Sequence, residues 1–321
     1  MAVVMACATF PLIWVGGLVT TYDAGMAVPD WPSTYGYNLF LYPWQTWLLG
    51  PFDLFIEHGH RLLGAAVGMI AIVTMFVTWR YDQRKWVCWF SVGVLAMVIV
   101  QGLLGGLRVT ANEVQVARIH GIVGPAFFAM TIALAAVTSR LWRTTQPAAH
   151  QTAGKLHRLA VLTTGLVFIQ LILGAHLRHL PLDWSPYAFR AVVIFHLLMA
   201  AALFAHIVML AVRVFAQHRD ATALMFPVVA LCVLIVAQVV LGSATWIVNY
   251  SWPDWAVQLG WGIGHTVQAG SYAQALTVTA HQAMGSLILG VSTLLTIRAY
   301  RLLAAPSTRR MASISLKGVL A

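Results

Sequence analysis

The chain has 321 residues, 60% of them hydrophobic and only 9% charged, where soluble globular domains carry roughly a quarter charged residues. That composition excludes a water-soluble globule and makes lipid the main solvent. A net charge of +10 would suit a nucleic-acid partner, but in so apolar a chain a basic excess is first a topology signal, and no nucleic acid is expected.

Windows of about 20 mostly apolar residues, enough to cross the hydrocarbon core, predict spans over 3–21, 54–79, 86–107, 115–140, 156–176, 188–214, 223–247 and 272–299. Met1 leads almost directly into the first span, which shows no small-residue cleavage site and is read as a retained helix rather than a signal peptide. Cys7, Cys88 and Cys232 all fall in apolar windows and act as small hydrophobes. No C-x-x-C-H motif is present, so thioether attachment of a haem is not expected.

An even number of spans puts both termini on one side. Arg80, Arg84, Lys85, Arg140, Arg143, Lys155, Arg158, Arg213, Arg219, Arg298, Arg301, Arg309, Arg310 and Lys317 collect on that side, whereas Asp23, Asp30, Asp53, Glu57, Glu113, Asp183 and Asp254 collect on the other. The positive-inside rule makes both termini cytoplasmic. Trp31, Trp44, Trp47, Trp184, Trp252, Trp255 and Trp261 lie in the outer loops, where they suit the headgroup region better than a ligand cage.

The third, fifth and seventh spans each carry Gln-x-x-Leu-Gly, at Gln101–Gly105, Gln170–Gly174 and Gln238–Gly242. Three copies at one place in successive outward-running helices predict a four-helix unit used twice. The expected fold is therefore all-α and integral to the membrane. Its eight transmembrane helices form two four-helix bundles, 1–145 and 146–321, related by a pseudo-two-fold axis along the membrane normal, with a short cytoplasmic tail ending the second.

Every even-numbered span carries a histidine with a small residue four positions later: His60 with Gly64, His120 with Gly124, His196 with Ala200, His281 with Gly285. The spacing puts each pair on one helix face, where a missing side chain admits a flat macrocycle or a neighbouring helix. All four histidines lie one to three turns from the outer ends, so they form a layer. A lone histidine there would read as an interhelical hydrogen bond. Four at repeat-related positions read better as two pairs of axial ligands to haem iron, one pair per half.

Glu57 stands three residues before His60 on the same face and is the only acid near any of the four. Two readings stand side by side: a first-turn acid favoured by the helix dipole, or a carboxylate beside whatever His60 binds. Val193 and Val278 occupy the matching positions of the second half. The halves therefore read as functionally distinct, with chemistry in the first and electron supply in the second. Arg61, Arg118 and Arg178 are candidate partners for haem propionates, because the guanidinium fork matches a carboxylate, although snorkelling explains any single one equally. The other histidines, His58, His150, His157, His176, His179, His206, His218 and His265, lack the repeat and are read as loop, interfacial or packing residues.

With these residues placed, the chain resembles the haem A synthases over nearly its whole length. The likeness rests on Glu57-x-x-His60-Arg61, Pro29-Asp30-Trp31-Pro32, Gly105-Gly106, Leu173-Gly174-Ala175-x-x-Arg178-His179, and His196 and His281, in that order. It implies that His60 and His120 bind haem O as substrate, that His196 and His281 hold a non-covalent haem b, and that Glu57 is the catalytic carboxylate. The implied reaction oxidises a ring methyl to a formyl group through an alcohol, giving haem A for terminal oxidases. The implied setting is a bacterial cell membrane, among haem O synthase, oxidase assembly factors and an unnamed electron donor. Many bacterial members carry two cysteines in the first outer loop. Here those positions are Val28 and Thr34, so no thiol role carries over. The rival readings are a di-haem b-type electron carrier and a haem transporter or chaperone.

Overall fold

The computed structural model describes residues 1–180 and 184–305; Asp183, Arg309, Arg310 and Lys317, used in the topology argument, lie outside the described residues. Eight long apolar helices run through it: α1 (Ala2–Thr21), α2 (Phe52–Tyr81), α3 (Lys85–Thr110), α4 (Val114–Thr138), α5 (Ala153–Arg178), α6 (Pro186–Gln217), α7 (Met225–Tyr250) and α8 (Tyr272–Leu302). Each agrees with its expected span to within three residues at either end. Most run longer than expected, because hydropathy marks the hydrocarbon core while hydrogen bonding carries the helix on into the headgroups. At about 1.5 Å per residue, the 30 residues of α2 reach roughly 45 Å against a core of about 30 Å.

Helices α1 to α4 close into one ring, each packing on its neighbours and α4 returning to α1, and α5 to α8 close into a second ring in the same way. The even-numbered helices thus stand diagonally opposite within each ring. Each ring has its own core. Met5, Val67, Val87, Val94, Phe127 and Leu134 fill the first; Leu156, Ile207, Leu210, Leu231, Ile288 and Leu295 are among those filling the second. Half of the apolar window of α8 is buried but only 11% of that of α6, so α8 lies at the centre, against α1 and α4 as well as its own ring, and α6 faces lipid.

The seam between rings is close-packed and cross-bonded. Arg178, ending α5, donates to the Gly17 carbonyl at 2.9 Å and the Thr21 hydroxyl at 2.5 Å on α1, and Thr21 meets Thr279 of α8 at 3.2 Å. At the opposite end, Ala148–Ala149 of the linker between rings pairs in parallel with Leu303–Ala304 after α8.

Phe128 of α4, a buried residue, seats on Gly290 of α8, where an added Cβ would stand 2.9 Å from the ring. Overpacking of this kind costs about 1–3 kcal/mol. Gly290→Val is expected to lower the thermal midpoint of the purified protein, whereas the same change at Gly93, which faces open space, leaves it nearly unmoved. Equal shifts at the two positions would remove Phe128 from the account.

Candidate functional site

The Gln-x-x-Leu-Gly and histidine patterns, read separately from the sequence, are two halves of one packing unit. Gln101, Gln170 and Gln238 each donate Nε2 to the backbone carbonyl of the histidine on the following helix, His120, His196 and His281, at 2.9, 3.0 and 3.1 Å. The motif glycine then clears room for that imidazole. A Cβ at Gly105, Gly174 or Gly242 would lie 3.2, 3.5 or 3.0 Å from Cε1 of the same histidine. Gly124 and Gly285, four residues after their histidines, make room for Gln101 and Gln238. At these two positions, then, the small residue admits a glutamine of the adjacent helix; Gly64 faces open space.

A fourth copy of the unit escaped the sequence pattern. Gly16 of α1 approaches His60 so closely that a Cβ there would stand 2.7 Å from Cε1. The position four before it is Leu12, not glutamine. Four histidines are thus each set by the glycine of the preceding odd helix, and only His60 lacks the glutamine.

In the first ring His60 and His120 face one another diagonally, with ring centroids 6.5 Å apart and planes at 80°. Two metal–imidazole bonds of about 2 Å each, lengthened by the radius of each ring, span about this distance. His120 Nδ1 lies 3.2 Å from the Gln101 carbonyl; donating there fixes the tautomer that leaves Nε2 as an electron-pair donor. His60 Nδ1, His196 Nδ1 and His281 Nδ1 are buried without a hydrogen-bond partner among the described residues. Unpaired buried imidazole nitrogens are costly in a membrane interior, and the opposed imidazoles of the first ring are a donor set that fits a haem iron.

The first outer loop is pinned over this ring. Glu57, 3% exposed, accepts from the Val28 amide at 2.9 Å and from Arg61 at 2.7 Å. Arg61 also donates to the carbonyls of Val28, Asp30 and Ser33 at 2.7, 2.6 and 3.0 Å. Its two terminal nitrogens are therefore fully engaged in holding the loop. Thr34, fully buried, meets His58 at 3.1 Å. Val28 and Thr34, where the resemblance expects cysteines, are thus both anchors of the loop without any covalent link. Trp31 lies against Gly106, where a Cβ would overlap the indole, and Gly25 likewise leaves room for the Arg108 guanidinium. Asp30 caps the loop's turn. Partial burial opposes its charge, but hydrogen bonds from the Gly36 amide, the Ser33 hydroxyl and the Tyr35 amide outweigh it and hold the carboxyl below its ordinary range.

The remaining predicted arginines are engaged elsewhere. Arg118 donates to the His179 carbonyl at 2.7 Å, and Arg178 bridges to α1 as described; each keeps a buried Nε without a partner among the described residues. Two residues near the first site are not among the candidate site residues drawn from the sequence, where His179 is read as a loop, interfacial or packing residue. Arg108 sits against Gly25 under the loop. His179, just past α5, is held near a pKa of about 4, chiefly by burial and then by Arg178, Arg118 and Arg108, and so stays neutral. Only their place beside Gly105-Gly106 and Arg178 in the motifs hinted at them.

The chain is similar to known proteins over part of its length. A protein-family model described as cytochrome oxidase assembly protein matches residues 50–182, which take in α2 to α5. A protein of Hyphomonas neptunium named Heme A synthase is 26% identical over 261 residues, covering 68% of this chain and 69% of that protein. Proteins of the same name from Listeria monocytogenes and Listeria innocua are 30% identical over 138 residues, 41% of each chain. All of these relatives carry the same name, Heme A synthase.

Proposed function

We propose, from the premise of kinship with the haem A synthases, that this chain oxidises a ring methyl of haem O to the formyl group of haem A. His60 and His120 hold the substrate in the first ring, residues 1–145. His196 and His281 hold a non-covalent haem b in the second, residues 146–321, with the two rings related by a pseudo-two-fold axis along the membrane normal. Both termini face the cytoplasm of a bacterial cell, and an electron donor, haem O synthase and oxidase assembly factors are the partners this role requires.

The observation that carries this reading is the diagonal His60–His120 pair, 6.5 Å between centroids, beneath a loop anchored by the buried carboxylate of Glu57. When bound, haem b supplies one-electron transfer. The oxygen atom and the oxidant come from outside the chain, as dioxygen or as water with an electron acceptor, and the chain's own residues supply the setting. The loop excludes water from the outer end of the first ring, the glycine and glutamine seats fix the imidazole rings, and Arg108 balances charge under the loop. Glu57 holds negative charge in a low-dielectric site, where it stabilises positive charge developing at the methyl carbon or accepts a proton. An electron carrier has no use for a carboxylate in one ring that the other lacks.

Co-expression with a source of haem O, followed by chromatography of extracted haems, tests the reading. Haem A is expected; haem O left unchanged alongside bound haem b would instead indicate a carrier or a chaperone.

A further inference from the structure

At the end of the protein opposite the histidine layer, the α2–α3 turn, the short helix Arg140–Thr144 and the last turn of α8 border a cavity of about 410 Å³ that is open to the outside and lined by Arg84, Trp142, Arg143 and Arg301. Three guanidinium groups line it, and two of them, those of Arg84 and Arg143, share a single carboxylate. Asp82 accepts from Arg84 through Nε and Nη2 at 2.8 and 2.6 Å, and from Arg143 at 3.4 Å. The Arg84 hydrogen bonds, against some burial, hold the Asp82 carboxyl below its ordinary range, so it stays charged. Arg301 spends only Nε, on the Trp142 carbonyl at 2.7 Å, and its guanidinium lies over the Trp142 ring at 5.4 Å. Both terminal nitrogens of Arg301, Nη1 of Arg84 and most of Arg143 have no acceptor among the described residues.

We propose that this cavity binds a phosphate group, and that its occupant in the membrane is the headgroup of an anionic phospholipid. The excess of positive charge is fixed by arginines, whose forked donors match phosphate oxygens in pairs. Every lining residue stands at a helix end, which is headgroup depth, and Trp142 with Trp86, ring centroids 6.2 Å apart, supplies the aromatic contact usual at that level. Basic pockets between transmembrane helices are suited to such headgroups. The three arginines come from the first ring, the linker and the last helix of the second ring, so one bound headgroup ties the two rings together at the end away from Arg178. The proposal does not depend on the reaction assigned above.

The test uses full-length protein, delipidated in mild detergent and titrated separately with phosphatidylglycerol, phosphatidylcholine and inorganic phosphate, with bound species counted by native mass spectrometry. Phosphatidylglycerol is expected to bind, phosphatidylcholine not to, and each of Arg143→Gln and Arg301→Gln to weaken binding about fivefold. Arg158→Gln, on the same side but outside the cavity, is expected to bind as the parent does. Arg143 is 52% exposed, so its replacement spares the fold, which an unchanged thermal midpoint verifies. Inorganic phosphate binding as tightly as the lipid would overturn the lipid as occupant. Equal retention of phosphatidylcholine, or unchanged binding in both variants, would overturn the site.

Discussion

Replacing Glu57 by Gln is expected to cut conversion of haem O at least about 100-fold, the usual loss when a group that moves or balances a proton is removed, while haem b remains bound. The choice of Gln rather than Ala matters because Glu57 has two jobs in the structure. Its Oε2 takes the Val28 amide and its Oε1 takes Arg61, so truncation to Ala would release the loop and strand a buried guanidinium at a cost of about 3–5 kcal/mol. Gln keeps an oxygen acceptor for one of these donors and most of the volume, but neither the charge nor the basicity. If the residue serves only to anchor the loop, the Gln variant should retain much of the activity and the Ala variant little. If the carboxylate takes part in the chemistry, both are inactive, and the Gln variant alone keeps the loop resistant to proteolysis. Near-parental product formation by Glu57→Gln would remove the carboxylate from the mechanism and leave it a loop anchor.

Much of this architecture is written in residue types, and the parts that are not share a physical cause. Apolar windows locate α1 to α8 because lipid tolerates no unpaired backbone, so a long apolar run has to be helical. The Gln and His repeats are legible because identical packing problems recur at identical places. What each side chain grips was not legible. Gln101, Gln170 and Gln238 bond to backbone carbonyls, and a carbonyl is the same whatever residue bears it, so no sequence pattern marks the partner. The same holds for Arg61, which matched a carboxylate-binding role by type yet spends three hydrogen bonds on loop carbonyls. The α1 copy of the packing unit was hidden by Leu12, since hydropathy sees a leucine in a membrane helix as ordinary. Its glycine, Gly16, becomes informative only once His60 is seen against it. The pairing of Arg178 with α1, 157 residues away from Thr21, likewise requires knowing that the two rings share a seam.

Removal of the His281 imidazole is expected to have the largest spectroscopic effect, stripping the low-spin haem b bands from the purified protein, and His196→Ala should do the same. Both residues are half-buried with a buried Nδ1 that lacks a partner among the described residues, and both are held by a glutamine and a glycine from the preceding helix, so neither can swing to replace the other. Substitution of His60 or His120 should leave those bands in place, because these residues belong to the other ring. Gly242→Val offers a graded version of the same experiment. Its new side chain would enter the space beside His281 Cε1, where even a Cβ stands only 3.0 Å away, turning the imidazole without deleting it. A shifted or partly high-spin spectrum is expected there, with Gln238 still gripping the backbone carbonyl. The contrast separates ligation from packing, since a histidine that merely filled space would tolerate Ala with a loss of stability and no change in the haem bands. Loss of haem b from the His60 and His120 variants, with retention in those of His196 and His281, would exchange the roles of the two rings, and Glu57 would then stand beside the retained haem rather than the substrate.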